Sequence, residues 1–401
     1  MSEIDDFRER ARLWLDGHAR RAEEALRADS GEEAADLAEA RRFQAALFEA
    51  GFAGLTWPRE YGGQGLGIEY QVAWNEVSAG YRLPTVFSLG LGMIGPTLLE
   101  LGTEQQKRRY LPKILSGEEI WCQIFSEPGG GSDVAALRTS ATRTDEGWVI
   151  NGQKVWTSVG HLADLGAVLV RTDPTVPRHQ GITMLIVDMR APGLTVRPLR
   201  IATGEAPFAE EFFDNVLVPH DAVIGEVNQG WAAAVVMLRN ERIALGTQGR
   251  SQANPLSFEP MLAAVHKHGS ITSDRARTGL AELYARELAL AEFGRLVHEE
   301  AIAGIPVGAR GSVGKLAGTQ QALWAADLAE ELLGETIAIE NDDLAAIRWA
   351  SLYATGMAIA GGSTEIQRNI IGERVLGLPK DGGIDAKDVP FNRLRFGDGN
   401  K

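Results

Sequence analysis

At 401 residues the chain exceeds one comfortable hydrophobic core, so two or three packed domains are expected. Apolar residues make up 44% and charged residues 23%, a globular balance that excludes wholesale disorder. The formal net charge of -14 excludes nucleic acid or an anionic membrane held through a broadly basic face, although clustered arginines can still grip a phosphate locally. The single cysteine, Cys122, rules out an intrachain disulfide and fits a cytosol-like compartment. Met1 to Arg12 alternates acids and bases without an apolar signal core, and no run nears the roughly 20 apolar residues of a membrane span. A soluble cytoplasmic protein is therefore expected.

From Ile4 to Ser116 the pattern is helical. Phe7, Ala11, Trp14 and Leu15 recur at helical spacing, as do Leu37, Ala40, Phe43, Leu47 and Phe48. Gly51 to Gly54 stops the second helix, and the glycine-rich stretch Trp57 to Gly67 reads as a loop packed by Trp57 and Tyr61. Thr103, followed by Glu104, Gln105 and Gln106, is expected to cap a further helix.

Near Glu119 the texture changes to short β-branched and aromatic runs separated by Gly, Pro and Asp. They are 120–125, 148–150, 154–158, 167–170, 182–187, 194–198 and 208–216, with Asn151-Gly152 as a hairpin turn. This spacing predicts an antiparallel sandwich or barrel, and no dinucleotide-type strand–turn–helix unit precedes it. Helical texture returns after Gly230, with Ala-rich runs at 231–250, 275–303, 313–339 and 344–360 and a connection with a short helix at 252–269. The tail after Pro379 is expected to be loosely held. The division is 1–118 helical, 119–229 β, 230–380 helical and 381–401 tail.

Four segments can carry chemistry, and each also has a plain structural reading. The glycines of Phe125-Ser126-Glu127-Pro128-Gly129-Gly130-Gly131-Ser132-Asp133 can turn backbone N–H groups toward one anion, or can simply form a turn. In Lys154-Val155-Trp156-Thr157-Ser158 an indole plane beside hydroxyls can cover a flat aromatic cofactor, or the Trp can be core. Glu241, flanked by Asn240 and Arg242 in the apolar helix 231–246, is either ion-paired or poised as a base. Gly361-Gly362-Ser363-Thr364-Glu365 ends one helix and caps the next, leaving free amides for a ligand or only a helix–helix turn.

Taken in order and spacing, the three segments that begin at Phe125, Asn151 and Gly361 closely resemble the signature segments of the acyl-CoA dehydrogenase family over about residues 4–380. The resemblance implies an α+β multidomain fold: an N-terminal helical domain, a central β domain and a C-terminal four-helix bundle. FAD would lie between the β domain and the C-terminal helices. It implies that Gln123 to Ser132 is a first flavin-binding stretch, including Phe125, Ser126, Gly131 and Ser132, with Ser126 at the ring and Ser132 also near the acyl-CoA. Trp156, Thr157 and Ser158 would form the second, with Ser158 near flavin N5, and Ser363, Thr364 and Glu365 the third. Gly362 would lie beside the thioester, and Arg239 and Arg242 would touch the CoA portion.

Many members of the family carry the catalytic Glu just before the glycine of the third segment, where this chain has Gly361. A minority, resembling isovaleryl- and long-chain-specific enzymes, place it in the first helix of the C-terminal domain, where this chain has Glu241. The expected reaction is α,β-dehydrogenation of an acyl-CoA, with Glu241 as base, hydride passing to flavin N5 and electrons to an electron-transferring flavoprotein. A second departure is that segments gripping a neighbouring subunit's FAD in the family read here as His266 to Ser270 and Leu333 to Ile337. A homotetramer or a mixed tetramer with a related subunit is expected, built through the Ala-rich helices. The alternatives are a non-catalytic or half-site partner subunit of a mixed tetramer and an oxidase of the same fold. No metal ligands are expected.

Overall fold

In the computed structural model, residues 2–21, 33–247, 254–269, 271–305, 307–339, 342–379 and 389–394 are described. The helices described at the start of the chain are α1 (Glu3–His18), α2 (Glu33–Glu49), α3 (Ile68–Ser78), α4 (Gly95–Leu101) and α5 (Glu104–Ser116). The first begins where Ser2 and Asp5 form a capping box, and it buries Phe7, Ala11 and Leu15 one turn apart. Thr103 caps α5 as expected: its hydroxyl accepts from Gln106 N, while Gln106 Oε1 accepts from Thr103 N. The Gln106 amide then donates to the carbonyls of Asp221 and Val223, tying α5 to the far end of the β region. Trp57 is buried, and a methyl group at Gly95 would sit 2.0 Å from its Cη2, so only glycine lets α4 approach this close. A π-helical turn, Gly90–Ile94, leads into α4.

The described strands are β1 (Arg20–Arg21), β2 (Tyr81–Arg82), β3 (Trp121–Ile124), β4 (Ser140–Arg143), β5 (Trp148–Ser158), β6 (Leu165–Arg171), β7 (Ile182–Asp188), β8 (Leu194–Leu199), β9 (Phe208–Val218) and β10 (Val223–Ile224). The first two pair with each other, and the other eight form one sheet in the order β10-β7-β6-β4-β5-β9-β8, with β3 also beside β6. The sheet is mostly antiparallel, as expected, but β3 and β4 both meet β6 in parallel. Asn151-Gly152 is not a hairpin turn: it lies inside the 11-residue β5, where the ladder to β9 slips between Ile150 and Gly152. The extra residue lies on β9, where Asp214 and Asn215 face Asn151 alone, so strand pairing overrides the local Asn-Gly turn signal. Both β6 and β7 are buried along almost their whole length, which fits their unbroken apolar runs.

Helices α6 (Gly230–Thr247), α7 (Phe258–His268), α8 (Asp274–Ile302), α9 (Gly311–Leu333), α10 (Ala345–Met357) and α11 (Thr364–Ile370) follow. Among the described residues two hydrophobic cores result. The N-terminal helices, the sheet and Ala233, Ala234 and Met237 of α6 share one, while α7 to α10 enclose the other. Thus α6 begins inside the sheet's core and runs out along the second bundle. Part of the tail is anchored, contrary to expectation: Phe391 N and Asn392 N donate to the carbonyls of Val176 and Pro174, and the Arg171 guanidinium sits 4.0 Å from the Phe391 ring. No helix among the described residues is long and apolar enough to cross a membrane.

Asp164 joins the N-terminal helices to the sheet. Its carboxylate accepts from Arg41 Nη2 of α2 at 2.8 Å and from Ile120 N at 2.9 Å, and Arg190 lies 3.0 Å away. Burial alone would raise its pKa, but the Ile120 amide and Arg41 outweigh that and hold the carboxyl below its usual range. We expect Asp164→Asn to lower unfolding free energy at about pH 7 by ~1–3 kcal/mol. A depressed folded pKa stabilises above the unfolded carboxylate value near ~4 and is lost as pH falls through the folded value. Chemical denaturation at about pH 7 and about pH 3 therefore finds a gap between wild type and variant that closes in acid.

Candidate functional site

Two groups of the expected residues emerge. The first is built on Lys154, whose side chain is fully buried on β5. Its Nζ donates to the Phe125 carbonyl at 2.9 Å and lies 2.9 Å from Glu127 Oε1. The Glu127 carboxylate also accepts from Arg138 N at 2.7 Å and Thr139 N at 2.9 Å, and Val155 N donates to Ser126 O. The glycine loop and the Trp-Thr-Ser strand are thereby clamped together. Burial pulls the Lys154 pKa down to about 8 against the pull of Glu127. Burial equally works against the Glu127 charge, yet Lys154 and the two amides keep that carboxyl below its usual range.

Beyond this clamp β5 bulges. Val155 pairs with Glu210 and Thr157 with Ala209, leaving Trp156 as the extra residue at φ 66°. A large side chain in the left-handed region is uncommon and points to a constraint worth explaining. Trp156 is 57% exposed, edge-on to Phe208, whereas Thr157 is buried and donates to Glu211 Oε2 at 2.7 Å. Ser158 ends the strand opposite Phe208. Phe125 is buried, and Gly131 and Ser132 stand exposed at the loop tip. The buried Nε2 of Gln123 has no hydrogen-bond partner among the described residues.

The second group surrounds Glu241. Buried Ala234 and Met237 precede it at helical spacing, so its half-buried side chain continues the packed face of α6. Neighbouring Asn240 is buried and donates to Thr97 Oγ1 of α4 at 3.3 Å. Lys315, on α9, is the link to the third segment: its Nζ donates to Gly362 O at 2.7 Å. Its partial burial lowers its pKa, and the carboxylates of Glu241 and Glu365 oppose that shift. Gly361 and Gly362 take φ of 65° and 94°, conformations that suit glycine, and the Gln367 amide donates to both their carbonyls. Ser363 caps α11 by accepting from Ile366 N, and Thr364 Oγ1 donates to Glu365. Arg239 is ion-paired with Glu100 at the surface, and Arg242 lies on α6 with its side chain outside the described residues.

Sequence models of the acyl-CoA dehydrogenase N-terminal, middle and C-terminal domains match residues 1–118, 122–216 and 228–376. The chain belongs to the acyl-CoA dehydrogenase family. It is thus an oxidoreductase of a family that works with FAD. It is 40% identical over 348 residues to the acyl-CoA dehydrogenase FadE34 of Mycobacterium tuberculosis, covering 87% of this chain but 47% of that protein, so it spans about half of that relative's length. It is 38% identical over 400 residues to the acyl-CoA dehydrogenase IpdE1 of the same organism, covering 95% of this chain and 99% of that one. Among solved structures it is similar to the Tcur3481-Tcur3483 steroid ACAD, with TM-score 0.80 and 29% identity over 94% of this chain and 98% of that one. It is also similar to the ChsE4-ChsE5 complex from Mycobacterium tuberculosis, with TM-score 0.75 and 30% identity over 95% and 99%.

Sequence reasoning passed over Glu127, Lys154, Glu211 and Lys315 as functional residues. For Lys154 a local signal existed, since a lysine three residues before the buried Thr157 on one strand invites the question of its partner. The others depend on contacts between distant segments. We expect Lys154→Met to lower stability by ~3–5 kcal/mol, because it strands the buried Glu127 carboxylate. Lys154→Met with Glu127→Gln should recover part of that loss, as urea denaturation of the three proteins will measure.

Proposed function

We propose that the chain is an FAD-dependent acyl-CoA dehydrogenase in which Glu241 removes the α proton of the thioester. The single observation that carries this reading is Lys315: one ammonium bonds the Gly362 carbonyl while interacting with the Glu241 carboxylate. An acid on α6 and the glycine turn of the third segment therefore share one neighbourhood, although no acid stands at 361.

The residues present fit FAD. The orphaned Gln123 amide can donate to a flavin carbonyl, exposed Trp156 offers an aromatic face, Ser126, Ser158 and the loop from Phe125 through Gly131 to Ser132 supply donors beside it, and Thr157, its hydroxyl donated to Glu211, contributes through the backbone it holds in place. Ser363, Thr364 and Glu365 at the head of α11 are the third contact in this reading. When bound, the flavin accepts the β hydrogen as hydride. Glu241 takes the α proton, beside the Lys315 ammonium with which its carboxylate interacts. A backbone N–H of the 361–362 turn stabilises the charge that develops on the thioester oxygen, and Lys315 and Gln367 fix that turn by holding its carbonyls. Gly362 lines the thioester, Ser132 approaches the acyl-CoA, and Arg239 and Arg242 hold CoA phosphate, for which Arg239 must exchange its surface pair with Glu100. Electrons then pass to an electron-transferring flavoprotein.

The relatives whose names carry steroid chemistry support a bulky, ring-bearing acyl group as substrate. A mixed complex with a related subunit is supported by the ChsE4-ChsE5 neighbour and by exposed Tyr284, Leu288, Leu296 and Leu352 on the C-terminal helices. In this reading the domains span 1–118, 119–229 and 230–380, with a tail at 381–401, and the protein is cytoplasmic. We expect purified protein, alone or with its partner, to carry non-covalent FAD and to be reduced anaerobically by a steroid side-chain acyl-CoA in preference to short straight chains. Glu241→Gln should keep FAD and acyl-CoA binding and lose roughly 10²–10³-fold in flavin reduction by stopped flow. Reduction at the wild-type rate would move the base elsewhere.

A further inference from the structure

Glu211 is a fully buried carboxyl on β9, directly opposite Lys154 of β5. Its Oε2 accepts from Thr157 Oγ1 at 2.7 Å, while its buried Oε1 has no hydrogen-bond partner among the described residues. The turn after β5 closes over that atom, since a methyl group at Gly160 would sit 2.6 Å from it. Trp156 is the bulge residue between Lys154 and Thr157, so the Glu211 carboxyl spans the bulge from one side to the other. A bulky residue at positive φ persists only where its surroundings over-determine it. The Glu211–Thr157 bond is one such determinant.

We propose that Glu211 is a positioning residue for the flavin: as a neutral acid it grips Thr157 across the bulge and so holds Trp156 turned outward and Ser158 on the edge that receives the ring. This rests on the FAD reading above. The neutral form follows from the geometry, because a buried carboxylate with one hydroxyl donor and an orphaned oxygen is poorly satisfied. Burial pushes the Glu211 pKa up to about 7, against the opposing effects of Thr157 and Lys154, and Glu210 adds to the rise. The titratable groups facing it are Lys154, whose ammonium is engaged by Glu127 and the Phe125 carbonyl, Glu210 on the same strand, and the Cys122 thiol of β3, itself raised by burial and by Glu211. A raised carboxyl pKa stabilises the folded arrangement below the ordinary glutamate value, and the contribution is lost as pH rises through the folded one. The hold on Trp156 should therefore loosen through about pH 7.

The test is the FAD dissociation constant, measured by flavin fluorescence on the holoenzyme at about pH 6 and about pH 8.5. Wild type should bind several-fold more weakly at the higher pH. Glu211→Gln, which keeps an acceptor for Thr157 without a titratable proton, should bind as wild type does at the lower pH and show no pH dependence. Glu211→Leu and Thr157→Val should each weaken binding about tenfold, the scale of one lost hydrogen bond. The double variant should be no weaker than either single, because both remove the same bond. Wild-type affinity in Thr157→Val, or an undiminished pH dependence in Glu211→Gln, overturns the proposal, and these two variants decide it even where Glu211→Leu fails to fold. A wild type with no affinity for FAD overturns the parent reading instead, and this proposal with it.

Discussion

The Lys154–Glu127 pair is the interaction on which the central region depends. A lysine with no exposed surface is costly to bury, and the pair is tolerable only because every strong group in it finds partners: a carbonyl and a carboxylate for the ammonium, two backbone amides for the carboxylate. That requirement fixes geometry. The glycine loop after β3 cannot drift from β5 without stranding a buried charge, so the loop is shaped by an electrostatic constraint rather than by its own floppy composition. Removing either partner is expected to disturb the loop and the strand together.

A similar economy governs the second half. Helix α6 contributes apolar residues to the sheet's core and then carries Glu241 toward α9, where Lys315 bonds the glycine turn. Positions 361 and 362 need left-handed backbone, and a glutamate at 361 would be held at φ 65°, unfavourable for any residue with a Cβ. In the proposed mechanism an acid on the regular helix α6 serves instead, with its direction set by Asn240 anchored to Thr97.

Much of the fold was legible because its signals are local. The Thr103 capping box, the Ser363 cap, the one-turn spacing of Phe7, Ala11 and Leu15, and the unbroken apolar runs of β6 and β7 all follow from chemistry within a few residues. The ordered segments from Phe125, Asn151 and Gly361 carry the family resemblance in the sequence itself. What escaped was non-local or ambiguous. Asn151-Gly152 carries a turn signal, and only the pairing with β9, where Asp214 and Asn215 face Asn151 alone, shows that the strand runs on through it. Lys154 with Glu127, Glu211 with Thr157, and Lys315 with Gly362 join residues 27, 54 and 47 positions apart, and no periodicity encodes such pairings. The anchored Phe391 was missed for the same reason, its partner Arg171 lying on β6.

The role of Glu241 is the claim to which the rest of the chemistry answers. Its most direct measurement is solvent exchange of the α hydrogen in a thioester whose β position is sulfur or oxygen, so that no hydride can leave and proton removal is seen alone. With α-deuterated analogue and holoenzyme, the wild type should wash out the label, and Glu241→Gln, binding the analogue equally well, should slow the washout by about 10²-fold or more. Washout at the wild-type rate in that variant would contradict the account.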